Sequence, residues 1–152
     1  VSAFIGIDPG KTGALAVIHP EGAEAWRWPG DVVTTADLLR DVLTRHRVTL
    51  CCIEKVASRP GQGVRSVFTF GENFGAWQGL LAAFAVPYTF ATPHQWQKAV
   101  LDAGGGDTKV RSLNMARRLF PDVDLSRKGD HGMSDALLLA LYVKRLHLRG
   151  TA

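Results

Sequence analysis

The chain has 152 residues, 46% apolar and 21% charged, with a net charge of +4. That is the size and balance of one folded domain over residues 1–152, too short for two lobes around a cleft. The longest apolar stretches, 79–87 and 136–143, fall far below the ~20 residues that cross a bilayer. No membrane partner and no secretory signal are expected, and the adjacent Cys51 and Cys52 suit neither a disulfide framework nor a CxxC metal site. The expected setting is therefore a reducing cytoplasm. Charge is unevenly spread. Residues 1–90 carry eight basic and eight acidic side chains, whereas 91–152 carry ten and six, so the second part supplies the whole surplus. A basic half favours a polyanion, nucleic acid above all.

In chain order, residues 3–8 form an apolar run that ends in Asp8-Pro9-Gly10-Lys11-Thr12-Gly13, and 14–18 are apolar again. Two strands joined by a tight turn are predicted, with a third strand over 23–28. Leu38, Leu39, Val42 and Leu43 at helical spacing predict a helix over 35–47, capped by Thr34 or Thr35. Residues 48–53 read as a buried strand ending at Glu54. A loop follows, then a helix over 67–84 with glycines at 71, 75 and 79. That smooth row suits close helix contact and packing on a sheet equally well. A strand over 86–91 and a helix over 93–101, opened by Thr92 and Pro93, come next. Gly104–Gly106 reads as a hinge or a phosphate-approach loop, and helices over 108–119 and 130–148 close the chain. Strands followed by alternating strands and helices predict an α/β domain with a mixed sheet.

Asp8 and Glu54 each end a predicted interior strand, at the edge where open α/β sheets bind ligands. On neighbouring strands their carboxylates would lie about 5 Å apart, close enough to call for a proton or a cation. Asp130, His131 and Asp135 cluster at the start of the last helix, with His131 and Asp135 on one face. Such oxygens are hard ligands for Mg²⁺, with Mn²⁺ able to substitute, and two ions would serve phosphodiester hydrolysis. Each residue also has a plainer role: Asp8 as turn former, Glu54 as strand end, Asp130 as N-cap, His131 as a surface histidine.

These motifs resemble the RuvC-type Holliday-junction resolvases of the RNase H-like superfamily, especially their short phage-encoded members. Phe4-Ile5-Gly6-Ile7-Asp8-Pro9-Gly10 is similar to the opening strand with its metal-binding Asp. Cys52-Ile53-Glu54 is similar to the strand bearing the second acid. Asp130 through Leu137 is similar to the final helix with its last catalytic Asp. The stretch holding Lys98, Gly104–Gly106 and Lys109 is similar to the one that sets two lysines near the scissile phosphate. The resemblance implies an RNase H-like fold with a central five-stranded mixed β-sheet flanked by helices, and a homodimer. It also implies a metal-dependent endonuclease that resolves four-way DNA junctions by paired cuts, in a bacterial or phage-infected cytoplasm. One position departs from it. The bacterial enzymes carry an acid or histidine three residues before the last Asp, where this chain has Gly132. Asp130 is then expected as the fourth acid, with His131 as its rival, on the view that a glycine leaves room for either.

Residues 55–118 hold eight Lys/Arg against three Asp/Glu. Lys55, Arg59 and Arg65 leave the catalytic edge beside Glu54, and Phe68 beside them is a candidate wedge at a branch point. Lys11, Lys98, Lys109 and Arg111 complete the expected DNA-facing set, with Lys109 also offsetting charge at the phosphate. Trp77 and Trp96 read as packing. The competing readings are a YqgF-like RNA-processing nuclease, a sugar kinase or actin-like ATPase, and a catalytically weak branched-DNA-binding protein. Length counts against the two-lobed ATPases.

Overall fold

The computed structural model describes residues 2–127 and 129–151. Strands β1 (Ala3–Asp8), β2 (Ala14–His19), β3 (Gly22–Arg27), β4 (Val48–Glu54) and β5 (Tyr88–Ala91) form one sheet in the order β3-β2-β1-β4-β5. β1 to β3 run antiparallel as a meander, and β1, β4 and β5 are parallel. The central strands are buried on both faces, which is why they read as unbroken apolar runs.

Alternation along the strands divides the core in two. On one face Phe4, Ala14, Ala16, Cys52 and Ala91 meet α5 (His131–Gly150), α3 (Pro93–Val100) and α4 (Thr108–Leu119). On the other, Ile5, Ile7, Leu15, Val17, Cys51 and Ile53 meet α1 (Val32–Arg45) and α2 (Val64–Ala83). The adjacent cysteines are free thiols on opposite faces, as strand neighbours must be. Among the described residues no helix is long and apolar enough to cross a membrane.

Helix ends follow local chemistry. α3 opens with a capping box between Thr92 and Gln95, and Asp107 caps α4. α1 starts three residues before its predicted first residue, because Asp31 rather than a threonine is its N-cap. The Asp31 carboxylate accepts from the Thr34 backbone and hydroxyl, both at 2.8 Å. α2 packs on the sheet through Asn73, Trp77 and Leu81, while Gly71, Gly75 and Gly79 lie on its exposed face with nothing within 4 Å of a would-be Cβ. Of the two uses open to that glycine row, packing on the sheet is thus removed.

Two glycines set how closely α5 crosses the sheet. A Cβ on Gly6 would sit 2.0 Å from the Ala136 carbonyl oxygen and 2.5 Å from the Ala140 nitrogen. A Cβ on Gly132 would sit 2.1 Å from the carbonyl oxygen of Thr12 in the β1–β2 turn. α5 therefore lies backbone to backbone on β1, with its N-terminal turn pressed on the turn after Asp8.

Candidate active site

Asp8 ends β1 and Glu54 ends β4. The two strands are parallel with Ile7 paired to Ile53, so the next residues, Asp8 and Glu54, come side by side, about one strand spacing of 4.8 Å apart. Both lie on the α5 face. Asp135, one turn into α5, comes down over them because Gly6 and Gly132 let that helix approach.

Electrostatics tie the three acids together. The Asp8 carboxyl is raised above the usual carboxylate range, chiefly by burial, while the Gly10 N–H donating to its Oδ1 at 3.0 Å and the nearby His131 pull it down. Glu54 is pushed up to about 7, by burial first and then by the charge of Asp8, against the indole of Trp96. Asp135 is pushed up to about 8, by burial first and then by Asp8 and Glu54, against the Ser112 hydroxyl and the Lys109 ammonium. Burial raises all three carboxyls, the charge of Asp8 further raises Glu54, and both of those raise Asp135, so the cluster is one that a cation would relieve. The donor set is thus hard oxygen, fit for Mg²⁺ or Mn²⁺.

Asp130, expected as the fourth acid, meets other partners. It is 1% exposed and occupies the N-cap position, yet its side chain does not cap α5. Oδ1 accepts from Arg27 of β3, and Oδ2 accepts from the Arg127 backbone N–H at 2.7 Å. Both oxygens are engaged by cationic or amide donors. Gly132 leaves no room for a replacement ligand, since its Cβ position is filled by the Thr12 carbonyl. His131 is half-buried, and its charge is close enough to Asp8 to lower that carboxyl's pKa.

Trp96 and Ser112 were missed as site residues. Trp96 is fully buried, and its indole N–H donates to Glu54 Oε2 at 2.6 Å. Ser112, buried on α4, acts on Asp135. No spacing signal marks either one, because each reaches its acid from a helix that is remote in sequence.

The basic candidates fall into two groups. Lys11, Lys55, Arg59, Arg65, Lys98 and Lys109 are exposed. Lys55 holds its ammonium 5.3 Å from the centroid of the Phe90 ring, and Phe68 is 67% exposed near the start of α2. Arg111 is instead tied to the loop before α4, donating to the Asp102 carbonyl, while Arg118 pairs with the Asp102 carboxylate and Arg117 donates to the Leu125 carbonyl. A shallow depression of about 340 Å³ is lined by Lys109, Arg117, Arg127 and His131. Arg127 is an addition to the predicted set.

Set against solved structures, the chain covers 100% of its length and 98% of the Thermus thermophilus RuvC bound to a Holliday-junction substrate, with a TM-score of 0.72 and 21% identity. The chain has the RuvC fold. A second Thermus thermophilus RuvC structure gives 0.66 at 22% identity over 99% of this chain and 98% of that one. The yeast mitochondrial Holliday-junction resolvase Ydc2 gives 0.50 at 14% identity over 97% and 82%. No protein-family model and no curated protein matches the chain. The five-stranded mixed sheet expected from the sequence is the sheet found. The two-lobed ATPase reading has no counterpart among these structures.

Proposed function

We propose that this protein is a single-domain, divalent-metal-dependent endonuclease that resolves four-way DNA junctions as a homodimer in a bacterial or phage-infected cytoplasm. The observation that carries the reading is the trio Asp8, Glu54 and Asp135, each raised in pKa by burial and the last two also by neighbouring acids, at the C-terminal strand edge of a RuvC fold. These three would hold two Mg²⁺ or Mn²⁺ ions, with His131 rather than Asp130 as the fourth ligand. Bound there, the metal lowers the pKa of a water and neutralises charge on the phosphodiester.

The remaining work belongs to side chains. Trp96 fixes the orientation of Glu54 through its 2.6 Å hydrogen bond, leaving Oε1 free to turn toward a ligand. Lys109, which already acts on Asp135, offsets negative charge that grows on the phosphate. Lys11, Lys55, Arg59, Arg65, Lys98 and Arg127 bind DNA backbone, and exposed Phe68 packs against an opened base step at the branch. The open glycine row of α2 suits close contact with a second copy.

The test is Mg²⁺-dependent nicking of a synthetic four-way junction, with cuts mapped on all four strands and with a flap and a structured RNA in parallel. Symmetric paired cuts in the junction are expected. Asp8→Asn should lower the rate to below about a hundredth of wild type while junction binding persists. Preferential cutting of the RNA would favour the RNA-processing reading. Normal cutting by Asp8→Asn, or activity in excess chelator, would overturn the assignment.

A further inference from the structure

Far from the acids, the other end of the sheet gathers a different donor set. His19 ends β2, Glu24 lies on β3 and His46 is the C-cap of α1. Strand pairing explains the meeting. Glu24 pairs with Val17, whose side chain faces α1, and His19 two residues on faces the same way. The end of α1 then delivers His46 onto that face. His19 stands five residues along β2 from Ala14, the partner of Asp8, or about 17 Å away.

One ligand atom from each of the three residues lies within 4.8 Å of the other two. Glu24 Oε2 is 2.9 Å from His46 Nε2 and 3.6 Å from His19 Nε2. In a tetrahedral zinc site with ~2.0–2.1 Å bonds, neighbouring ligand atoms lie about 3.3–3.4 Å apart, between those two values. The imidazoles are 13% and 14% exposed and stack with centroids 4.3 Å apart, so both are held in place before any ion arrives. Glu24 is 34% exposed, which leaves a side open for water as a fourth ligand. Arg45 Nη1 touches both Glu24 oxygens, at 2.9 and 3.0 Å, and stands 3.3 Å from His46 Nε2; with its Nε 3.1 Å from Asp41, it must leave Oε2 and His46 to an ion and stay on Oε1 alone.

We propose that His19, Glu24 and His46 form a second metal site that takes one Zn²⁺ ion or a similar imidazole-preferring transition ion. It is separate from the catalytic acids and does not depend on the nuclease reading. Two imidazoles and one carboxylate favour this class over Mg²⁺, which prefers all-oxygen ligands. The ion clips the end of β2, β3 and the α1–β4 junction together, stabilising the side of the sheet remote from DNA cleavage.

The test is a Zn²⁺ titration of the full chain in excess Mg²⁺, which occupies the hard carboxylates, following Tm and the imidazole nitrogen resonances. At a hundredfold excess over Kd, Tm should rise by about 5–10 °C. The resonances of His19 and His46 should shift while those of His94 and His147 stay. His46→Ala and Glu24→Gln should each weaken Zn²⁺ binding at least tenfold, with Mg²⁺-dependent junction cleavage unchanged. An unmoved Tm with silent His19 and His46 resonances would overturn the proposal, as would wild-type Zn²⁺ affinity in His46→Ala. Should that variant not fold, the wild-type resonances decide the matter alone.

Discussion

Trp96 shows how one side chain can have both a packing and a chemical role. Its ring fills the core beneath α3, and its single N–H meets Glu54, an acid that burial and Asp8 push up to about 7. Trp96→Phe keeps most of the ring volume and removes the donor. Glu54 then becomes harder to ionise, so Mg²⁺ affinity should fall about tenfold and the pH midpoint of cleavage should move upward. A pH–rate profile at fixed Mg²⁺ checks this, and loss of stability alone would leave the midpoint in place. His131 supports a second expectation at this scale. Imidazole suits Mn²⁺ better than Mg²⁺, so Mn²⁺ should support cleavage at lower concentrations, and His131→Ala should narrow that difference.

At the scale of elements, the site depends on how closely α5 lies on β1. Gly6 and Gly132 both have backbone where a Cβ would stand, and this contact sets Asp135 above Asp8 and Glu54. Gly132→Asp would place an acid three residues before Asp135. Here it should lower stability by about 2–4 kcal/mol by forcing α5 off the β1–β2 turn, and it should lower cleavage rather than raise metal affinity. Denaturant unfolding and Mg²⁺ titration of the variant check both outcomes. Asp130 belongs to the same junction. Paired with Arg27, it ties the start of α5 to β3 and so acts on the site through position. Arg27→Met should leave an unpaired buried carboxylate and cost about 3–5 kcal/mol.

At the scale of the whole molecule, stability and catalysis pull against each other. Glu54 and Asp135 hold protons in the folded state up to about pH 7 and 8, whereas in an unfolded chain they lose them near the ordinary values of 4.5 and 3.8. Between those limits the folded state binds more protons, so stability falls as pH rises. In chelator, Tm should drop by roughly 5 °C or more between pH 5 and 8, and Mg²⁺ should restore most of the loss at the alkaline end. A Tm that is flat with pH in chelator would contradict the coupled-acid description. Basic residues along the catalytic side make a further whole-molecule prediction. Junction affinity should fall by about a hundredfold or more between roughly 50 and 300 mM salt, since backbone contacts release counterions.

The sequence by itself determined the strands and helices, because apolar runs and period-3.6 patterns reflect burial of one or both faces. It also placed Asp8 and Glu54 at the ends of two strands and Asp135 near the start of the last helix, where the structure has them. What only the tertiary structure decided was which neighbours those residues have. Asp130 and His131 are adjacent in sequence, yet one pairs with Arg27 and the other acts electrostatically on Asp8. Trp96 meets Glu54 across 42 residues, and the His19, Glu24 and His46 cluster assembles from three elements. Gly132 looked like open space in the sequence and proved to be a filled contact. Local sequence encodes which face a side chain occupies, but the partner on that face is set by strand order and helix approach, which come from contacts between distant segments.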